Sequence, residues 1–198
     1  MGQRSGMTPQ PEVHTPSVQE RGAKAGEVSR RIVLRTARLI LTRMTPLDEA
    51  EHAAASGDPA AALRDTRAAE VQWREYGFGP WAIRDLRDEG FLGGAELRFA
   101  GDGIEGIAPD EVEAGWWVTK ERRNQGIGSE AMHAAIGDLW DRTDAESITA
   151  YIEEGDNAAS RQLAAKLGFV VRGQGRGRSG EPMTVYELRR DVWQRRGG

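Results

Sequence analysis

Apolar residues recur along this chain at two periods, two and roughly 3.6, and the switches between them mark its elements. Alternation and β-branched or aromatic content predict a first strand in two pieces, Ile32-Val33-Leu34 and Arg38-Leu39-Ile40-Leu41-Thr42-Arg43. Further strands are predicted at Trp81-Ala82-Ile83-Arg84, Phe91–Phe99, Val112–Val118, 147–152, Val170-Val171 and 184–188. Pro46 and Asp48 open a helix over 47–56, and a second runs from Pro59 to Tyr76. Gly77-Phe78-Gly79-Pro80 reads as a turn and Asp88-Glu89-Gly90 as a hairpin bend. Ile127, Ala131, Met132, Ala135, Ile136 and Leu139 fall on one face of a third helix. Asp156-Asn157 can cap a fourth, with apolar Ala159, Leu163, Ala164 and Leu167, ended by Gly168 with Phe169 packing back. Between these lie a Gly-rich acidic loop (101–111) and a basic, flexible loop (173–180). The order implies one α/β fold with a mixed sheet whose middle strands are joined by antiparallel hairpins.

Residues 1–29 are rich in Gly, Pro, Ser, Gln and charge and read as a disordered tail; 30–190 form the expected domain, and 191–198 a charged tail. The 198 residues suffice for one core. Lys+Arg 27 against Asp+Glu 31, net −4, argues against a nucleic-acid partner. With Cys 0 there is no disulfide, thiolate metal site or Cys nucleophile. His14, His52 and His133 lie far apart, so no metal is expected. No apolar run approaches the ~20 residues of a membrane span, and the N-terminus lacks the apolar core of a signal peptide. A cytoplasmic protein without membrane contact is the expectation.

The informative stretch is Arg123-Asn124-Gln125-Gly126-Ile127-Gly128-Ser129, between the Val112–Val118 strand and the third helix. A strand-to-helix turn with a basic head and two glycines points free N–H groups and the positive end of a helix dipole outward. That is a phosphate or pyrophosphate cradle. The Gly-x-x-x-x-Gly-Lys-Ser/Thr pattern of a P-loop is absent. Gly126-Ile127-Gly128-Ser129-Glu130-Ala131 does match Gly-x-Gly-x-x-Ala of dinucleotide sites, with Glu146 and Glu153 about 20 and more residues on. Against that reading, 119–125 separate the glycines from their strand, and the strand follows hairpins rather than opening a βαβ series.

Arg123-x-x-Gly126-x-Gly128 after a strand resembles the acetyl-CoA pyrophosphate loop of the GNAT superfamily of N-acetyltransferases. Arg38-Leu39-Ile40-Leu41-Thr42-Arg43 with Asp48, and Gly77-Phe78-Gly79-Pro80-Trp81-Ala82-Ile83, are similar to the ribosomal-protein Nα-acetyltransferase (RimJ/RimL-like) branch. Glu113-Ala114-Gly115-Trp116-Trp117-Val118 resembles the family's cofactor strand, and Asn157-x-x-Ser160 with Lys166-Leu167-Gly168-Phe169 its second cofactor helix. The similarity covers 33–188. It implies the GNAT fold, a mostly antiparallel sheet flanked by helices, and acetyl transfer to a primary amine in a ternary complex. The amine would be a protein N-terminus or a small molecule. A non-catalytic acyl-CoA sensor or partner module of the same fold is the alternative.

The resemblance places the pantetheine and acetyl end along Trp116, Trp117 and Val118, where a Val118 amide freed from pairing would hold the thioester oxygen. Arg123 would neutralise phosphate, and Asn124, Gln125, Gly126, Ile127, Gly128 and Ser129 would form the loop, with Ile127 also in the core. Asn157 would reach the pantetheine arm, competing with a plain N-cap role, and Ser160 would lie near the thiol and assist it. The tyrosine acid of many GNAT enzymes falls at Ala164 here, and a thiol of pKa ~8.5 leaves without much help. Glu113, beside Trp117 by alternation, is the candidate base, with Glu96 and Tyr151 as rivals. Its bland alternative is a solvent-facing glutamate. The six tryptophans are packing residues by default, with Trp81 and Trp117 also candidates to wall the acceptor pocket. The resemblance allows a homodimer, which no apolar stripe in the sequence demands.

Overall fold

A computed structural model describes residues 33–155 and 157–197. The disordered-tail expectation for 1–29, Ile32 and the capping role of Asp156 fall outside them. An 8-stranded sheet runs in the order β1-β2-β3-β4-β5-β6-β8-β7. Its strands are β1 (Val33–Arg35), β2 (Leu39–Arg43), β3 (Trp81–Asp85), β4 (Phe91–Phe99), β5 (Val112–Val118), β6 (Ser147–Glu153), β7 (Val170–Arg176) and β8 (Pro182–Arg189). The helices are α1 (Glu49–Ser56), α2 (Pro59–Tyr76), α3 (Ile127–Arg142), α4 (Ala158–Leu167) and α5 (Arg190–Arg195). The two pieces read as one first strand are a hairpin, β1 pairing antiparallel with β2. A 3₁₀ turn over Pro46–Asp48, closed by a Thr45–Asp48 capping box, precedes α1.

Every pairing is antiparallel except β5 with β6, which the α3 crossover makes parallel. All six apolar positions assigned to the α3 face are at most 3% exposed. They pack on the sheet face carrying Val112 and Ala114, with Trp116 and Val118 at the margin. On the opposite face α1 sets His52 edge-on against the Trp117 indole, 4.8 Å between ring centres.

Two further expectations are corrected. The segment 173–180 is not all loop: β7 continues to Arg176, pairing with β8 as far as Arg176↔Pro182, so the turn is confined to 177–181. The charged tail expected from 191 instead continues α5, whose Trp193 is 6% exposed and stacks on His133 and Trp140. Arg190 fastens this helix by donating to the Thr143 and Trp140 carbonyls at the C-terminal end of α3, at 3.0 and 2.6 Å. Arg190→Ala is expected to cost about 1–2 kcal/mol, lowering Tm by roughly 2–8 °C for a chain of this size. Thermal unfolding by circular dichroism checks it.

Candidate active site

The sheet opens at its one parallel junction. Only Glu113↔Thr149 pair between β5 and β6, reinforced by Thr149 Oγ1 donating to the Val112 carbonyl at 3.1 Å. Beyond that point the strands part. The Thr119 N–H donates to the Leu92 carbonyl of the β4 side. By ladder parity, residues 113, 115 and 117 therefore bond β4, while the amides of Trp116 and Val118 face the opening. A freed main-chain donor at Val118 is thus on the slot side.

Below the opening, a groove of about 610 Å³ joins β5, the start of α3 and one side of α4. Gly126 caps α3 at φ 78, a left-handed conformation that glycine adopts without penalty, and Asn124 shares it at φ 60. The first helical bond runs from Glu130 N–H to the Gly126 carbonyl, which leaves the preceding amides without helical acceptors. A Cβ on Gly128 would lie 3.0 Å from Leu163 Cδ1 and 3.7 Å from Val118 Cγ2, so this glycine keeps the throat of the groove open. Arg123 folds back to donate from Nε to the Val118 carbonyl at 3.1 Å. Oriented amides, a helix N-terminus and cationic side chains thus meet at the open strand edge, an arrangement suited to an anion.

Of the residues expected from sequence, the groove unites Trp116, Trp117, Val118, Arg123, Asn124, Gly126, Ile127, Gly128, Ser129, Asn157 and Ser160. Gln125 is not on its wall: its carbonyl accepts from Arg38 at 3.0 Å and its amide turns to the Glu121 carbonyl. Asn157 stands at the N-cap position of α4 yet makes no side-chain capping bond. Arg122, Gln162, Leu163 and Lys166 also line the groove and were not assigned to the site by sequence. The last three follow Ala159 at helical spacing (159, 162, 163, 166), the signal that could have placed them on its wall. Ala164 is fully buried, so α4 supplies no acid at that position. Trp81 is a core residue, 1% exposed and edge-on to Trp73.

The loop is braced from behind. Glu130 accepts from Thr36 Oγ1 (2.5 Å), the Arg38 amide (3.0 Å) and Arg38 Nε (2.8 Å). Burial raises the Glu130 pKa, but these bonds outweigh it and hold the carboxyl below its ordinary value. A depressed carboxylate contributes stability at neutral pH that is lost as pH falls through its folded pKa. Glu130→Gln is expected to cost about 1–2 kcal/mol at pH 7, with the difference from wild type closing below about pH 4. Denaturant titrations across pH test this.

Glu113 lies on the face of β5 opposite Trp116 and Val118 and is 2% exposed rather than solvent-facing. Its Oε1 accepts from Arg98 at 3.2 Å, while Oε2 is buried without a hydrogen bond. Glu96 shares Arg98 at 3.7 Å and accepts from Trp117 Nε1 at 3.2 Å. Burial, ahead of the opposing pull of Arg98, raises the Glu96 pKa. Burial works against the Arg98 charge, but Glu96 and Glu113 more than offset it. Tyr151 stands two residues past the last β5–β6 pair, across the opening from Gly115. Its pKa is raised by burial and then by Glu113, so it is a neutral phenol at pH 7. Two carboxylates, a phenol and an indole therefore flank the mouth opposite the anion cradle. Among the described residues no His/Cys/Asp/Glu group is arranged to hold a metal ion, and no helix is long and apolar enough to cross a membrane.

Residues 38–170 match the family described as Acetyltransferase (GNAT) domain. The chain belongs to this GNAT acetyltransferase family. A Bordetella pertussis protein described as a GNAT-family acetyltransferase is similar at 23% identity and TM-score 0.70, covering 79% of this chain and 99% of that one. RimL, a ribosomal α-N-protein acetyltransferase solved with coenzyme A, is similar at 14% identity and TM-score 0.64, covering 81% and 99%. Mycobacterium smegmatis RimJ, solved with CoA-disulfide, gives 16% identity and TM-score 0.58, covering 77% and 82%. At these identities the likeness is one of fold.

Proposed function

We propose that the chain moves the acetyl group of acetyl-CoA to a primary amine, with both substrates bound and the amine attacking the thioester directly. One observation carries this reading: the single β5–β6 pair, past which unpaired strand amides run into the glycine start of α3. In it, the amides around 125–129 and Arg123 hold the diphosphate, and Asn157 and Ser160 meet the pantetheine arm. The thioester end rises between Gly115 and Tyr151. The Trp116 N–H, which faces the opening one residue from Gly115, receives the developing oxyanion; the Val118 amide, three residues from Gly115, lies about 10 Å along the strand toward the glycine turn. Glu113 Oε2, the carboxylate oxygen without a hydrogen bond, takes the amine proton. Glu96, whose pKa burial raises, stands beside it on Arg98. Ser160 or water protonates the departing thiolate, which needs little assistance at a pKa of ~8.5.

The acceptor is an α-amine of a protein or a small amine, and acetyl transfer is expected in the cytoplasm. A thiol-release screen of acetyl-CoA against N-terminal peptides and small primary amines tests the reading. Turnover with at least one primary amine is expected. Acetyl-CoA binding without turnover on any amine would leave a binding module instead.

A further inference from the structure

Arg178 sits in the turn between β7 and β8, its side chain 43% exposed, yet its guanidinium points inward. One terminal nitrogen donates to the Tyr151 hydroxyl at 2.9 Å and the other to the Ala100 carbonyl. That second nitrogen stands 3.6 Å from Glu113 Oε2, within ion-pair range but beyond a hydrogen bond. The guanidinium carbon lies 5.8 Å from the Tyr151 ring centre. A cation on a surface arm thus plugs a position bounded by a buried carboxylate oxygen, a phenol oxygen and a main-chain carbonyl. The arm is tied to the acidic loop by the Glu105 N–H to the Arg176 carbonyl (2.9 Å) and by Arg172 on Glu111.

The geometry fits an ammonium better than a guanidinium. The three oxygens that face the guanidinium end equal in number the three N–H donors of a primary ammonium. The planar fork of arginine satisfies two of them and leaves Glu113 Oε2 without a bond. The position also flanks the β5–β6 opening, because Tyr151 faces Gly115 there. Exchanging one cation for another keeps the buried Glu113 charge compensated, so entry of the amine avoids an unpaired carboxylate.

We propose that Arg178 occupies the seat of the acceptor's ammonium group and is displaced by it, so that this arginine sets acceptor affinity and selects primary amines. The inference rests on the acetyl-transfer reading and narrows its substrate class. An acceptor lacking three N–H donors in its charged form cannot replace all the contacts, so secondary amines are poor acceptors.

Thiol release from acetyl-CoA is followed with n-butylamine as acceptor for wild type, Arg178→Ala and Arg178→Lys. Removing the competing cation raises the fraction of open seats, so Arg178→Ala is expected to lower the butylamine KM by about five- to tenfold. The acetyl-CoA KM stays within about twofold, and Arg178→Lys, whose own ammonium can fill the seat, is expected to keep the butylamine KM at or above the wild-type value. A butylamine KM that is unchanged or higher in Arg178→Ala overturns the proposal. Crystals of Arg178→Ala soaked in methylammonium chloride give a readout without turnover. Density among Glu113 Oε2, Tyr151 Oη and the Ala100 oxygen is expected, and an empty position overturns the seat. Calorimetry of acetyl-CoA on the wild type separates the two claims: no binding sinks the acetyltransferase reading, whereas binding with an empty seat sinks only the role of Arg178.

Discussion

Glu113→Gln is expected to lower kcat for acetyl transfer by about 100-fold or more, the usual weight of a general base. The substitution is nearly isosteric, and the amide oxygen can still accept from Arg98 as Oε1 does at 3.2 Å. What disappears is the proton acceptor at Oε2 and the negative charge facing Tyr151 and Arg178. Because Glu113 is not among the residues lining the groove, acetyl-CoA affinity should stay within about twofold, less than 0.5 kcal/mol at 1.4 kcal/mol per decade. Parallel kinetics and calorimetry separate the two effects. A variant that keeps its kcat would remove Glu113 from the chemistry and leave Glu96 as the remaining carboxylate beside Trp117.

Gly128→Val is expected to weaken acetyl-CoA binding by about 100-fold or more, close to 3 kcal/mol at 1.4 kcal/mol per decade. Even a bare Cβ approaches Leu163 Cδ1 to 3.0 Å and Val118 Cγ2 to 3.7 Å. A methyl could be absorbed by a shift of the Leu163 tip, but the two further methyls of valine reach into the throat between α4 and β5. The residue has helical backbone within α3, where valine has a helix propensity no worse than glycine's, so the backbone should tolerate it. Calorimetric titration with acetyl-CoA checks the affinity, and an unchanged melting curve shows that the groove, not the fold, was altered.

Residue patterns exposed the parts of this molecule that bury one face. The α3 stripe, the full extent of α2, and strands β4 and β5 stand as the alternation and helical spacing predict. The cradle was legible because a tight strand-to-helix turn needs glycine, and Gly126 takes the left-handed conformation such a turn imposes. Edge elements were less legible. β7 lies at the end of the sheet with Val170 and Val171 more than 60% exposed, so its sequence shows no alternation beyond them. α5 buries only Trp193, too little for a periodic signal. The opening between β5 and β6 has no local signature at all, since strand parting is set by which distant segments pair. For the same reason the enclosure of Glu113 by Arg98 and Arg178 was invisible: its partners lie on β4 and the β7–β8 turn.

The most direct test of the account is a crystal structure of the wild-type protein with coenzyme A. The diphosphate oxygens are expected within hydrogen-bond distance of the amides around 125–129, with the pantetheine arm against Trp116 and Val118 in the β5–β6 opening. Coenzyme bound elsewhere, or a groove left empty at saturating concentration, would contradict it.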